Sequence, residues 1–264
     1  MHIEIPKAIE PLLQEYMFIV KKDLPDLVDA FYIHGSIALG AFHERFSDID
    51  FITVISRQCT ESDLHHLRGI HKTLALKYPR WELEGSYLQW DDLGQLEETI
   101  TPHPNYHDGI VSPAERNDVN SITWWILKNQ GVALLGPEPQ NLAFDVDLDV
   151  LLVKMKHNLN TYWVNFTNKP RRIAWIYTDD GLQWAVLGVL RQFYTFKEKG
   201  ITSKTGAGEY ALTHLPSRWH RLIQEALNIR GEVRGSLYKS RISRTVETVN
   251  FLKYVIRTCN ALLL

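Results

Sequence analysis

The segment from 31 to 55, FYIHGSIALGAFHERFSDIDFITVI, constrains the fold more than any other part of the sequence. It contains two apolar runs, and Gly35-Ser36 follows the first of them. Asp48 and Asp50 stand at the head of the second run, whose β-branched residues are typical of a strand. Residues two apart on a strand point to the same face. The segment therefore predicts two buried strands, with two carboxylates side by side where the second one begins.

Two carboxylates held this close need either a cation between them or raised pKa values. Carboxylate oxygens are the ligands that hard divalent cations prefer in proteins. The backbone amides of a turn such as Gly35-Ser36 form a concave site that can hold phosphate oxygens. The residues alone therefore predict a divalent-metal site beside a phosphate-binding turn.

A third acidic strand is predicted further along the chain. The segment WELEGSYLQW at 81–90 alternates between apolar and polar residues, which is typical of a half-buried strand. Glu82 and Glu84 share one face of it, the same kind of face that carries Asp48 and Asp50. Either glutamate is suited to act as a base, and the alternation favours neither.

Composition excludes several classes of protein. The 264 residues have a formal net charge of −2, so the chain has no basic surface of the kind that binds nucleic acid. Hydrophobic residues make up 45%, but they form no run long enough to span a membrane. The two cysteines are far apart in sequence, which argues against a disulfide framework and favours a cytoplasmic setting.

The order of predicted elements indicates two domains. The first half mixes strands with helices, including a helix over 7–30 interrupted at Pro25, and it contains a proline-rich loop over 101–117. Only helices are predicted beyond it, at about 147–166, 179–199, 205–214, 217–230 and 237–262. We therefore expect an α/β domain with a mixed sheet at 1–145 and an all-α helical bundle at 146–264.

At these residues the sequence resembles the nucleotidyltransferase superfamily of the polymerase-β type. Gly35-Ser36, an interval of eleven residues and Asp48-Ile49-Asp50 match its Gly-Ser and Asp-x-Asp signature. Further stretches resemble the aminoglycoside adenylyltransferases of the streptomycin/spectinomycin type: LEGSYL at 83–88, GVALLGPEP at 131–139 and DDGLQWAVLGVLRQFYTFKEKGITSKTGAGEYALTHLP at 179–216. The resemblance covers most of the chain and implies a nucleotidyltransferase domain followed by a helical domain.

The resemblance also implies a reaction. AMP would pass from ATP to a hydroxyl of an aminoglycoside or aminocyclitol antibiotic, with Mg²⁺ as cofactor, and this transfer would confer antibiotic resistance. Asp48, Asp50 and Glu84 would bind the metal, and Glu84 would take the proton of the attacking hydroxyl.

The resemblance implies four nucleotide-binding residues as well. Gly35 and Ser36 would hold the β- and γ-phosphates. Arg191 and Lys204 would reach the triphosphate from the helical domain and close the two domains over ATP. The expected partners are therefore ATP and a small cationic, hydroxylated acceptor, with no nucleic acid and no membrane.

The sequence leaves the acceptor open. A polycationic antibiotic needs an acidic pocket, for which the candidates are Glu82, Glu84, Asp91, Asp92, Glu97, Glu98, Asp179 and Asp180. The segment 98–108, EETITPHPNYH, lacks the tryptophan that contacts the antibiotic in the family. The alternatives are another hydroxylated small molecule, transfer of AMP to a protein, and a catalytically silent nucleotide-binding sensor.

Overall fold

The computed structural model describes residues 4–115 and 119–262. The chain divides into two compact units between Asp147 and Leu148. We call them the N-terminal unit and the helical unit. Among the described residues, no helix combines the length and the apolarity that a membrane crossing requires.

The N-terminal unit contains six strands and four helices among its described residues. The strands are β1 (Val28–Ile33), β2 (Ile49–Ile55), β3 (Leu83–Gln89), β4 (His103–His107), β5 (Ile110–Glu115) and β6 (Val132–Leu135). The helices are α1 (Glu10–Asp23), α2 (Gly35–Ala38), α3 (Glu61–Lys77) and α4 (Ser121–Gln130), with short 3₁₀ turns at Trp90–Asp92 and Pro139–Asn141.

All six strands form one mixed sheet in the order β5-β4-β3-β2-β1-β6. β2 and β3 run parallel, and the other neighbouring strands pair antiparallel. A parallel pair needs a crossover, and α3 supplies it between β2 and β3. A capping box formed by Thr60 and Asp63 fixes the start of α3.

Both faces of the sheet are covered by apolar side chains. One face packs against α1 and α3, and its core contains Tyr16, Phe31, Phe51, Leu67 and Tyr87. The other face packs against α4, and its core contains Tyr32, Ile52, Leu88, Trp124 and Leu127. Because Asp50 alternates with Phe51 along β2, it falls on the same face as Ile52.

A chain of hydrogen bonds crosses the first of these cores. The Tyr16 hydroxyl lies 2.9 Å from Thr53 Oγ1 and 3.2 Å from the Tyr87 hydroxyl, which in turn lies 2.7 Å from His71 Nε2. The His71 ring is buried and stacks on Tyr106 with a centroid separation of 3.7 Å. Burial lowers the pKa of His71 to about 3, so this ring is neutral at physiological pH.

The described part of the helical unit contains α5 (Leu148–Asn158), a π-helical stretch (Leu159–Trp163), α6 (Val164–Asn168), α7 (Pro170–Ile176), α8 (Asp179–Glu198), α9 (Lys204–His214), α10 (His220–Arg230) and α11 (Arg241–Ala261). A 3₁₀ turn at Ser217–Trp219 precedes α10. The predicted fold class, an α/β domain followed by a helical one, is confirmed.

Helix α8 forms the centre of the helical unit, and α9, α10 and α11 all pack on it. A buried ion pair joins two of these helices. The Arg244 guanidinium lies 2.8 Å from Glu225 Oε1, and both side chains are almost fully buried. The same guanidinium also reaches Asp179 at the start of α8, at 2.6 Å.

The segment 101–117 corrects one prediction, because most of it is a β-hairpin rather than a loop. β4 and β5 occupy it up to Glu115, and residues 116 and 117 lie outside the described residues. The prolines that suggested a loop lie where a sheet tolerates them. Pro104 falls at an irregularity in the β4–β5 register, and Pro113 lies on the edge strand β5.

One smaller prediction was also wrong, and one helix was missed. Val28 to Ala30 belong to β1 rather than to a continuation of the first helix. Helix α7 was not predicted, although Pro170 at its first position is a common start signal.

Candidate active site

Side chains of three neighbouring strands form a row across the sheet. The parallel register pairs Asp50 on β2 with Glu84 on β3. The antiparallel register pairs Gly85 with Tyr106 on β4, and one further step sets Glu84 opposite His107. The His107 Nδ1 atom lies 3.1 Å from Glu84 Oε1. We call Asp50, Glu84 and His107 the polar row.

Asp48 lies just before β2 and adds its charge to this row. It is half-buried, and its carboxylate is the strongest electrostatic influence on Glu84. The structure therefore places three carboxylates close enough to influence one another electrostatically, where the parallel strands begin. Such a concentration of negative charge is unfavourable unless a cation neutralises it or a proton is taken up.

The turn at Gly35 packs directly on Asp50. Gly35 has a φ of +59°, and a Cβ atom on it would lie 1.7 Å from Asp50 Oδ2. The backbone N–H of His34 donates to the Asp50 carbonyl oxygen at 3.0 Å. Both the left-handed backbone and the close approach require glycine here. The turn and the carboxylates are thus parts of one site.

Ser36, the next residue, presents a buried hydroxyl to this turn. Within the described ranges, Ser36 Oγ has no hydrogen-bond partner. A buried polar atom without a partner is unfavourable, and such atoms in native proteins commonly indicate a bound ligand, ion or water. The Gly35-Ser36 turn is therefore suited to accept a hydrogen-bonding ligand such as a phosphate oxygen.

Glu84 has the electrostatic character of a base that works near neutral pH. Burial raises its pKa most, the charge of Asp48 raises it further, and the imidazole of His107 opposes both. Glu82 and Asp50 add smaller upward contributions, and the pKa of Glu84 reaches about 7. A carboxyl group with such a pKa exchanges protons readily at physiological pH.

The structure distinguishes the two glutamates that the alternation left equivalent. Glu82 precedes β3 and its side chain is exposed, while its carbonyl oxygen accepts a hydrogen bond from Ile49 N at 2.8 Å. Glu84 lies inside the strand and directly beside Asp50. The parallel register therefore places Glu84, not Glu82, beside the Asp pair.

His107 and Asp108 are site residues that the sequence analysis missed. Asp108 Oδ2 lies 3.5 Å from His107 Nε2, so the imidazole stands between two carboxyl groups. Asp108 and Gly109 have φ values of +49° and +76° and form the two-residue turn between β4 and β5. The Asp-Gly pair is itself a strong hairpin signal, and it would have revealed the strand that carries His107.

Arg191 and Lys204 belong to the helical unit, where the structure brings them near each other. Arg191 Nε donates to the Thr202 carbonyl oxygen at 3.1 Å, two residues before Lys204. Lys204 begins α9, and its ammonium group lies 5.7 Å from the centre of the Trp184 ring. Both cations are therefore held beside the loop that joins α8 to α9.

Two of the acidic residues considered for a cationic acceptor have structural roles instead. Asp179 pairs with Arg244 at 2.6 Å and with Arg241 at 3.8 Å. Asp92 accepts a hydrogen bond from Gln89 N at 3.0 Å and caps a 3₁₀ turn. Asp179 is thus already neutralised by arginines of α11.

Comparisons with known proteins agree with this fold. Residues 169–256 match the family described as aminoglycoside adenylyltransferase, C-terminal domain. A crystal structure of spectinomycin adenyltransferase AAD(9) from Enterococcus faecialis with ATP and spectinomycin superposes with a TM-score of 0.68. Its sequence is 16% identical, and the match covers 94% of this chain and 98% of that one. No curated protein matches by sequence.

The family match covers most of the helical unit, whose sequence is similar to the C-terminal domain of aminoglycoside adenylyltransferases. The structural match covers almost the whole chain, so the N-terminal unit and the helical unit together share the fold of a spectinomycin adenyltransferase. The resemblance noted in the sequence is thereby confirmed.

Proposed function

We propose that the protein transfers AMP from ATP to a hydroxyl group of an aminocyclitol or aminoglycoside, with spectinomycin as the first acceptor to test. The observation that carries the proposal is the meeting of Asp48, Asp50 and Glu84 beside the Gly35 turn. The similar AAD(9) structure contains ATP and spectinomycin, which supports the choice of ligands. An ATP-dependent reaction also favours a cytoplasmic location.

In this proposal Glu84 acts as the general base. Its carboxylate takes the proton of the acceptor hydroxyl as that oxygen forms a bond to the α-phosphorus of ATP. The bond between the α-phosphorus and the oxygen that bridges to the β-phosphate breaks, and pyrophosphate leaves with the electron pair. A pKa of about 7 lets Glu84 hold the proton during the step and release it to solvent afterwards.

The donor set fits a magnesium ion. Asp48, Asp50 and Glu84 offer hard carboxylate oxygens, and their mutual repulsion makes a cation favourable. We propose these three residues as its protein ligands. When bound, Mg²⁺ supplies neutralisation of the phosphate charge and lowers the barrier to attack.

The nucleotide is held by two groups of residues in this proposal. The Gly35 turn and Ser36 Oγ bind the β- and γ-phosphates, which would give the buried hydroxyl its partner. Arg191 and Lys204 bind the triphosphate from the helical unit. Charge-assisted contacts of this kind are stronger than neutral hydrogen bonds.

The test is incubation with ATP, Mg²⁺ and a panel of aminocyclitols and aminoglycosides, followed by mass spectrometry and measurement of pyrophosphate. We expect one acceptor to gain the mass of one AMP group, with equimolar pyrophosphate. If no member of the panel gains AMP, the antibiotic acceptor is wrong. If the protein also fails to bind ATP, the enzymatic proposal is wrong.

The helical unit has a cationic pocket of its own. The helical unit contains a cavity of about 680 Å³ lined by Asn165, Lys169, Arg171, Arg172 and Trp175. Three cations and an indole ring suit a neutral or anionic ligand better than a polycation, so this pocket adds no support for a cationic acceptor.

A further inference from the structure

We propose that His107 is a positioning residue that holds Glu84 by its Oε1 atom and so fixes the orientation in which the Glu84 carboxylate receives the proton of the acceptor hydroxyl. The inference rests on the proposed function, in which Glu84 is the base. His107 is the last residue of β4, and the hairpin of β4 and β5 places it beside Glu84.

The electrostatics of the row create the need for such a residue. Asp48, Asp50 and Glu84 carry like charges, and the first two raise the cost of ionising the third. His107 lies on the opposite side of Glu84 from Asp50, one strand further along the sheet, and its Nδ1 is within 3.1 Å of Oε1. A hydrogen bond there opposes rotation of the carboxylate.

The backbone around His107 is suited to hold the ring in place. His107 is the last residue of β4 and pairs with Ile110 across the two-residue turn. Asp108 adopts a left-handed conformation at this turn, and its carboxylate lies 3.5 Å from the second ring nitrogen. The imidazole is therefore attached to a tight turn and flanked at both nitrogens.

The exposure of His107 separates this role from a role in stability. About 45% of the His107 side chain is exposed, whereas Glu84 is only 21% exposed. Because the ring is not part of either apolar core, its removal should leave the fold intact. Any large effect of its removal on turnover then arises from Glu84.

The experiment compares AMP transfer by His107 variants with that of the wild type. We expect His107→Phe to lower kcat about 10-fold with little change in the KM for ATP, because about one hydrogen bond to the base is lost. His107→Asn, whose amide N–H can replace Nδ1–H, should recover most of the rate.

A matched control is His66→Phe, which changes an exposed histidine of α3 and should leave kcat unchanged. The proposal is overturned if His107→Phe keeps the full rate. It is also overturned if His107→Asn is as slow as His107→Phe.

A second measurement does not depend on turnover. Nitrogen NMR of the imidazole side chains should show that Glu84→Gln shifts the His107 Nδ1 resonance and leaves that of His66 in place. If the wild-type protein transfers AMP to no acceptor, the proposed function fails, and this measurement still decides whether His107 holds Glu84. An unchanged His107 resonance would overturn the contact itself.

Discussion

Replacing Gly35 by alanine tests the link between the turn and the carboxylates. The new Cβ would lie 1.7 Å from Asp50 Oδ2, 2.4 Å from its Cγ and 2.9 Å from its Cβ. Rotation of the Asp50 side chain can relieve the first two overlaps. The third involves an atom fixed to β2, so the strand or the turn must also shift. Asp50 therefore cannot keep its place in the polar row.

The size of the effect follows from the displacement. Ordinary contact begins at 3.4 Å, so Oδ2 must retreat by about 1.7 Å. A displacement of about 1 Å at a reacting centre can lower the rate roughly 100-fold. The left-handed backbone adds a penalty of about 1–2 kcal/mol for any residue with a Cβ atom. We therefore expect Gly35→Ala to lower the rate of AMP transfer by at least roughly 100-fold.

Gly40 provides a matched control five residues away. Its φ of +63° is almost the same as that of Gly35, but a Cβ atom there would meet nothing within 4 Å. Gly40→Ala should therefore show the backbone penalty alone, as a lower melting temperature with a rate close to that of the wild type. The assays are thermal unfolding, calorimetric binding of ATP with Mg²⁺, and pyrophosphate release with the acceptor. Equal rates for the two variants would refute the reasoning.

Three further predictions concern Glu84, the buried His71 and the ion pair between Arg244 and Glu225. Glu84→Gln should keep ATP binding in calorimetry and abolish AMP transfer, because an amide cannot take the proton; full turnover would exclude Glu84 as the base. Buried His71 has a pKa of about 3 in the fold against 6.5 when unfolded, so the unfolded chain takes up the proton first. The contribution of neutral His71 to the free energy of unfolding is fully present above pH 6.5, and the free energy should be lower by roughly 2 kcal/mol at pH 5. In urea titrations at several pH values, His71→Phe should lack this part of the pH dependence. Arg244→Met should lower the unfolding free energy by about 3–5 kcal/mol, because the Glu225 carboxylate would stay buried without its cationic partner and keep only its hydrogen bonds from Ser236 and Leu237. Arg221→Met, which removes an exposed ion pair with Glu247, should lower it by less than about 1 kcal/mol, and equal losses would contradict the argument.

The hairpin of β4 and β5 illustrates how a local signal can mislead. Its prolines predicted a loop, because proline lacks the N–H that a strand ladder uses. The sheet accommodates Pro104 at a register irregularity and Pro113 at an edge. Whether a proline meets such a position depends on pairing with distant residues, which the local sequence does not contain. His107 was missed for this reason.

The helical unit was easier to anticipate. Most of its helices follow from apolar spacing at a helical period, and α8 was predicted almost to its ends. The ion pairs of Asp179 could not be predicted in the same way. They join α8 to α11 across more than 60 residues, and they remove Asp179 from the candidates for a cationic acceptor.

The sequence by itself determined the two strands of the 31–55 segment, the carboxylates at the head of the second, and the glycine turn between them. These features depend on residues near one another in the chain, where side-chain alternation and backbone conformation act directly. Only the tertiary structure decided that Glu84 rather than Glu82 lies beside Asp50, and that His107 completes the row. Those choices depend on the registers of β3 with β2 and with β4. A register is fixed by packing over both faces of the sheet, and a shift of two residues along β3 would have placed Glu82 beside Asp50 instead.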